Sequence, residues 1–315
     1  MGPAASRRRL HYHETVPRLG FVGFGEAAYN ITKGLRAAGW PAIAAWDIHH
    51  QTPGRGEKIR ARAAETGTRL MASNRDLAEN CDWIFSAVTA DQALTAAQQT
   101  APGLRAGQIY VDLNSVSPGR KQEIDAVVRA AGADFVEITM MAPVPPYLQK
   151  VPILAGGVKA KEVESVMAPF GMKMELVGDK IGVAAATKMC RSVMVKGIEA
   201  LLTECVLAAT YYGAAEKVLD SLGDTFPGPD WNKQASYCIG RVVVHGERRA
   251  REMEEVAATL REAGVDPIMA EATVRRMDWS VELGLKELFR GEDPADYHAF
   301  AEAVRSRMLQ TTPNR

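Results

Sequence analysis

Gly23, Gly25 and Ala28 stand in the segment Arg18-Leu-Gly-Phe-Val-Gly-Phe-Gly-Glu-Ala-Ala28, after a short apolar run and at the mouth of Ala-rich, helix-forming sequence. The spacing is G-x-G-x-x-G/A, and its chemistry is that of holding a pyrophosphate. Gly23 permits a tight turn, Gly25 lets phosphate approach the backbone, and the small Ala28 lets helix and strand pack closely. The phosphates then meet free N–H groups at the positive end of a helix dipole. Gly23, Phe24, Gly25, Glu26 and Ala27 are therefore the candidate cofactor contacts of this loop. Asp47 closes the next apolar run, Ala42-Ile-Ala-Ala-Trp46. A carboxylate there accepts hydrogen bonds from an adenosine ribose and repels a 2′-phosphate, which points to NAD. Arg55, a little further on, leaves NADP open. Without the glycines, Asp47 would read as a cap or turn residue.

These residues need strand ends to sit on, and the sequence supplies them in order. Glu26 to Ala38 is a predicted helix stopped by Gly39, and Pro41 to Asp47 carries the second strand. Helices are predicted over 57–66, 92–100, 118–130 and 159–167, with a helical turn at 76–79. Asp91 is expected to cap the second of these helices. Strands are predicted over 69–71, 83–88, 108–112, 135–139, 153–155 and 174–177. Such alternation implies an α/β fold, a Rossmann-type doubly wound, mainly parallel sheet covered on both faces. Ligands of such sheets lie beyond the carboxyl ends of the strands, where Gly23, Asp47, Val88-Thr89 and Asp112 to Ser115 all fall. Pro143, Pro145, Pro146 and Pro152 interrupt the pattern.

Beyond Gly182 the character changes. Val183 to Tyr212 has no proline and one interior glycine, Gly197, enough for a helix of roughly 45 Å. The remainder to Met308 is helical in period. The expected division is an extension over 1–17, a dinucleotide-binding domain over 18–181 and an all-helical domain over 182–315 that begins with a long interdomain helix.

Composition bounds the partners. Lys plus Arg and Asp plus Glu are 38 each, so the net charge is zero and no basic footprint for nucleic acid is present. No stretch approaches the ~18 apolar residues of a membrane span. Arg7-Arg-Arg9 is not followed by an apolar segment of a secretory signal. Cys81, Cys190, Cys205 and Cys238 form no C-x-x-C pair, and their apolar surroundings suggest reduced thiols in a cytoplasmic protein. The pairs His11/His13 and His49/His50 lack partner ligands, so no metal is expected.

Four segments together resemble the β-hydroxyacid dehydrogenase family, which includes 6-phosphogluconate dehydrogenase-like and 3-hydroxyisobutyrate dehydrogenase-like enzymes. Leu19 to Ala28 is similar to its nucleotide loop. Asp112-Leu-Asn-Ser-Val-Ser-Pro118 resembles its D-x-S-T-x-S/D-P loop, which contacts nicotinamide and its ribose. Met141-Ala-Pro-Val144 resembles its D-A-P-V entry to the substrate loop, and Gly182-Val-Ala-Ala-Ala-Thr-Lys188 resembles G-x-G-x-x-x-K, with the family's catalytic lysine. The departures are equally specific. Pro145-Pro-Tyr147 replaces the family's Ser-Gly-Gly and removes two backbone donors. Arg191 and Ser192 stand where the family has Asn or His, then Asn. The helical C-terminal domain looks like that of a less characterised branch.

The resemblance implies that Lys188 is the general acid/base of hydride transfer between nicotinamide and a 3-hydroxy acid or related secondary alcohol. Lys188, Arg191, Ser192 and Val195 share one helix face. Arg191 would lower the pKa of Lys188, clamp a substrate carboxylate or phosphate, or do both, and an anionic small molecule is the expected substrate. Asn114 and Ser115 would hold ribose or substrate, or simply start a helix. Tyr147 offers a hydroxyl in place of Ser-Gly-Gly, and His245 and Arg248 share a helical face as further candidate substrate contacts. Two rivals stand beside this reading: an imine reductase of similar architecture, which usually has another residue at the lysine position, and a non-catalytic dinucleotide-binding protein. The long helix exposes apolar surface, so a homodimer is expected.

Overall fold

Four consecutive buried residues, Leu19–Val22, form β1, with Phe21 and Val22 entering the cores on opposite faces of the sheet. The structure, a computed structural model, describes residues 16–311, so nearly all of the expected extension over 1–17 lies outside the described residues. After β1 come α1 (Glu26–Ala37), β2 (Ala44–Trp46), α2 (Arg55–Thr66), β3 (Arg69–Leu70), α3 (Asn74–Asn80), β4 (Trp83–Ser86) and α4 (Ala93–Thr100). β5 (Ile109–Asp112), α5 (Pro118–Ala130), β6 (Asp134–Met140), β7 (Ile153–Gly156), α6 (Ala160–Met167) and β8 (Met174–Leu176) complete the α/β part. One eight-stranded sheet runs β3-β2-β1-β4-β5-β6-β7-β8, parallel at every pairing but β6–β7. The order reverses between β1 and β4, the crevice at which doubly wound sheets bind ligands.

Two apolar cores cover the sheet, one around Phe21, Ile31, Leu35, Trp40, Phe85 and Val163, the other around Ile84, Leu77, Tyr110, Ile124 and Phe135. Asp91 does not cap α4 as expected. It lies inside a single 3-10 turn, Ala90–Gln92, where its carboxylate accepts from Gln92 Nε2. The expected apolar setting of the cysteines holds for Cys81 and Cys238, which are buried, and fails for Cys190, which is exposed; all four are free.

The remainder is helical: α7 (Val183–Tyr211), α8 (Ala215–Thr225), α9 (Trp231–Glu262), α10 (Ile268–Glu282), α11 (Leu285–Leu288) and α12 (Tyr297–Thr311). The chain divides into two compact units after Lys188, within α7. In the second unit Leu202, Val206, Leu219, Ile239, Phe300 and Val304 form the main core. α9 opens on an Asp230 cap and loses helical φ/ψ at His245. No helix among the described residues is long and apolar enough to cross a membrane.

The start of α7 is fixed by a residue inside the sheet. Glu137 sits at the middle of β6 and is fully buried. Its Oε1 accepts the N–H of Gly182 at 2.7 Å and of Ala184 at 3.2 Å, and its Oε2 accepts that of Ala185 at 3.3 Å. Three donors at the first turn of α7 thus find one carboxylate, which also faces the positive end of the helix dipole. Glu137→Leu should lower the stability of this unit by about 3 kcal/mol, because several buried N–H groups lose their acceptor. Glu137→Gln, which keeps an acceptor, should cost roughly 1 kcal/mol. Denaturant titration followed by circular dichroism reads both, and equal midpoints for all three proteins would deny the cap any part in stability.

Candidate functional site

At the carboxyl end of β1 the chain turns through Gly23, whose φ is +82°. A Cβ there would lie 2.5 Å from Ala87 O and 2.8 Å from Val88 Cγ1, so the loop closes tightly onto the end of β4. Gly25 has extended backbone and precedes α1 without any side-chain cap, so the first N–H groups of that helix are left for another acceptor. A Cβ at Gly25 would meet nothing within 4 Å. The open Cα face and the uncapped helix terminus fit a dinucleotide pyrophosphate. Glu26 has its side chain in solvent, so its backbone N–H is the useful group.

Asp47 lies at the end of β2 beside this loop. Its Oδ2 accepts the N–H of Phe24 at 2.8 Å and its Oδ1 that of His49 at 2.8 Å. The carboxylate is therefore oriented by the glycine loop itself, and its remaining lone pairs stay available to a ribose hydroxyl.

The ends of β4 and β5 are joined by a buried polar network. Asn114 Oδ1 accepts the N–H of Val88 at 2.7 Å, while its Nδ2 donates to Ser86 Oγ and to the Asp112 carboxylate. Asn114 is buried, and both ends of its amide are committed to the protein. The structure therefore makes it a tie that shapes the loop, in place of the expected contact to substrate or ribose. Lys121, fully buried on α5, donates to Asp112 Oδ2 at 2.5 Å, Asp112 O at 2.9 Å and Ile138 O at 3.2 Å. All three ammonium protons are used. Burial pushes the Asp112 carboxyl up from its ordinary range, and the Lys121 ammonium and the Asn114 amide pull it back.

Ser115 follows, half-buried, and its Oγ accepts from Lys188 Nζ at 2.6 Å. The lysine expected to handle a proton is thus brought to the Asp112–Ser115 loop. The path is traceable: Glu137 fixes the first turn of α7, and Lys188 follows little more than one turn later.

The other expected contacts fall differently. Tyr147 is exposed and lines a groove of about 680 Å³ with Gly34, Ala37 and Ala38 of α1 and with Phe170 and Gly171. That is the far half of α1; Gly34 stands nine residues, or roughly 13 Å of rise, beyond Gly25. Tyr147 therefore does not take the place of Ser-Gly-Gly. After Val144 the chain instead packs Gln149 against α1, where the absence of a side chain at Gly34 makes room for its amide. Arg191 is exposed, whereas Ser192 is buried and its Oγ accepts from Lys196 Nζ at 3.1 Å. His245 sits at the break in α9, with burial and the cations of Arg241, Arg248 and Arg249 lowering its pKa from the ordinary imidazole value. Arg248 is held by Glu252.

Sequence reasoning missed Glu137, Lys121, Lys196 and Glu199. Two of them carried a legible signal. Glu137 is a charge in the centre of an apolar strand run, and Lys121 occupies the buried stripe of α5 with Ile124 and Val128.

A family model described as the NAD binding domain of 6-phosphogluconate dehydrogenase matches residues 18–178, and one described as a domain of unknown function (DUF1932) matches residues 209–280. A conserved hypothetical protein of Sinorhizobium meliloti is similar in structure, with TM-score 0.78, 36% identity and coverage of 95% of this chain and 99% of that one. An uncharacterised 28.5 kDa protein of Methanothermus fervidus is 28% identical over 259 residues, 81% of this chain and 96% of its own. The Mycobacterium tuberculosis 3-hydroxyisobutyrate dehydrogenase, solved with L-serine, has TM-score 0.69 and 14% identity over 92% of this chain and 99% of that one, a likeness of fold.

Gly25→Val tests the phosphate cradle. The backbone is extended and the space is open, so stability should change by less than about 0.5 kcal/mol. NADH affinity, read by fluorescence titration, should fall by about tenfold or more, because the valine occupies the face a phosphate approaches. Undiminished affinity would place the cofactor elsewhere.

Proposed function

The chain belongs to the family whose model describes the NAD binding domain of 6-phosphogluconate dehydrogenase, and on that footing we propose that it is an NAD-dependent oxidoreductase acting on a 3-hydroxy acid or related secondary alcohol. One observation carries the reading: Lys188 Nζ lies 2.6 Å from Ser115 Oγ, on the loop that follows β5. An ammonium so placed addresses an oxygen at the carboxyl end of the sheet. NAD, when bound, supplies the hydride donor or acceptor; the protein supplies orientation and the proton. Gly23 to Ala27 hold the phosphates, and Asp47 favours a cofactor without a 2′-phosphate. Lys188 gives a proton to the substrate oxygen during reduction and takes it during oxidation, with the Ser115 hydroxyl as the neighbouring hydrogen-bond partner. Arg191, on the next turn of α7 and exposed, is the candidate clamp for an anionic group of the substrate.

Lys188→Ala should lower kcat/KM by about 10²–10⁴-fold across a panel of 3-hydroxy acids and leave NADH affinity nearly unchanged. The absence of NAD-linked turnover by the unaltered protein across that panel would favour the non-catalytic reading.

A homodimer is part of the same proposal. Met194, Leu201 and Ala208 follow one another along a single exposed stripe of α7, which ends on the exposed Tyr211, with exposed Tyr212 just beyond it. Exposed apolar side chains aligned in this way favour burial against a second copy of the chain. Sedimentation equilibrium at micromolar concentration should return twice the chain mass of 34.2 kDa, and a monomer would overturn this.

A further inference from the structure

Inside the helical unit, α7 and α9 face each other with charges where a core would ordinarily be apolar. Ser192, Lys196, Glu199 and Thr203 form the buried stripe of α7, and Arg241, His245, Arg249 and Glu252 lie along one side of α9. Lys196 Nζ is 3.2 Å from Glu252 Oε2, and Arg249 Nη2 is 2.9 Å from Glu199 Oε1. The Lys196, Glu199 and Arg249 side chains are at most 8% exposed. Burying charges at this cost without full pairing is unusual, because each unpaired group forfeits its hydration.

The pairing is incomplete in a specific way. Glu199 Oε2 has no donor, and the Nε of Arg249 and the Nε of Arg241 have no acceptor, although all three atoms are buried. Cations also outnumber carboxylates. Lys196, Arg241, Arg248 and Arg249 stand against Glu199 and Glu252, with Asp293 exposed over Gly240 and acting on His245. The surplus is felt locally, since the arginines help to keep the His245 imidazole neutral. Solvent reaches the cluster at Arg248, whose side chain is 55% exposed, and at Glu252.

We infer that this cluster is an anion-binding site for a small carboxylate or phosphate that carries a hydroxyl group. The two guanidinium Nε donors and the Lys196 ammonium take the anion, and Glu199 Oε2 accepts from the ligand's hydroxyl. An anion lacking the hydroxyl leaves that carboxylate oxygen unpaired, as before, and gains less. The break at His245 falls between Arg241 and Arg249, so their mutual setting departs from that of a straight helix. Glu199 stands eleven residues beyond Lys188 on α7, so a hydroxyl held there is not the one Lys188 serves; the site goes beyond the preceding proposal and does not rest on it.

The test is calorimetric titration of the full chain near neutral pH at constant ionic strength, with 3-hydroxybutyrate, butyrate and inorganic phosphate as probes and thermal unfolding in parallel. Saturable binding of 3-hydroxybutyrate, about tenfold tighter than butyrate, is expected, one hydrogen bond to a charged acceptor being worth that ratio or more. Arg241→Gln should weaken it by about tenfold or more with an unfolding temperature within a few degrees of the unaltered protein. Lys196→Met should do the same. Equal weak heats for all three probes, or affinity that survives both substitutions, would overturn the site. Lys188→Ala separates the two proposals, because it should stop turnover and leave anion affinity within about threefold. Anion binding by a protein without any NAD-linked turnover would remove the oxidoreductase reading and keep the site.

Discussion

The carboxylate of Glu137 sets the direction in which α7 leaves the sheet, and the position of Lys188 depends on it. A carboxyl group fully enclosed among β-strands is unfavourable unless donors surround it, and here the donors are the first N–H groups of α7. The surrounding backbone accommodates this arrangement. Gly156 pairs with Glu137 across β6 and β7, and a Cβ there would lie 2.9 Å from Glu137 Oε1. Gly182 has φ of +106° and presents its N–H to the same oxygen. Two glycines and one acid thus serve a single hydrogen-bonded joint. From that joint the helix itself carries Lys188 to Ser115.

The same device recurs at the neighbouring strand ends. Lys121 reaches Asp112 and the carbonyl of Ile138, Asp112 holds Asn114, and Asn114 holds the N–H of Val88. Three parallel strands, β4, β5 and β6, are joined at their carboxyl ends by side chains as well as by their ladder. A site built there inherits the rigidity of the sheet, which is what proton transfer over a hydrogen-bond distance demands. The glycine loop is tied in similarly, since Asp47 takes the N–H of Phe24 and Gly23 packs under Val88.

Much of this was legible one element at a time. The glycine spacing, the strand–helix alternation and the long proline-free helix each rest on local chemistry, and the sheet and α7 follow them closely. Positions determined by a distant partner were not legible. Asn114 read as a ligand contact because its amide is a good hydrogen-bonding group; Ser86, Val88 and Asp112 consume that capacity, and only the fold brings them together. Tyr147 read as a substitute for a lost loop, but the prolines before it send the chain along α1, where Gly34 admits Gln149. The strand ends were overextended for a related reason: residues such as Ala42 and Val88 continue the apolar pattern where the neighbouring strand offers no partner.

Buried charge appears in both compact units, and its two forms differ in kind. For the buried charges of the α/β unit donors and acceptors balance: Lys121 has three acceptors for three protons, and Glu137 has three donors. For those of the helical unit they do not, since Glu199 Oε2 and the Nε atoms of Arg241, Arg249 and Arg276 are left over. Evolution of a stable helix pair has a cheaper solution available, since apolar residues of similar volume commonly replace buried ion pairs without loss of stability. A fully satisfied network can be explained by the order it imposes. An unsatisfied one persists against a free-energy cost, and a molecule that completes it would recover that cost on binding. By this difference the polar side chains of α5 and β6 are structural, and those between α7 and α9 are poised for a ligand.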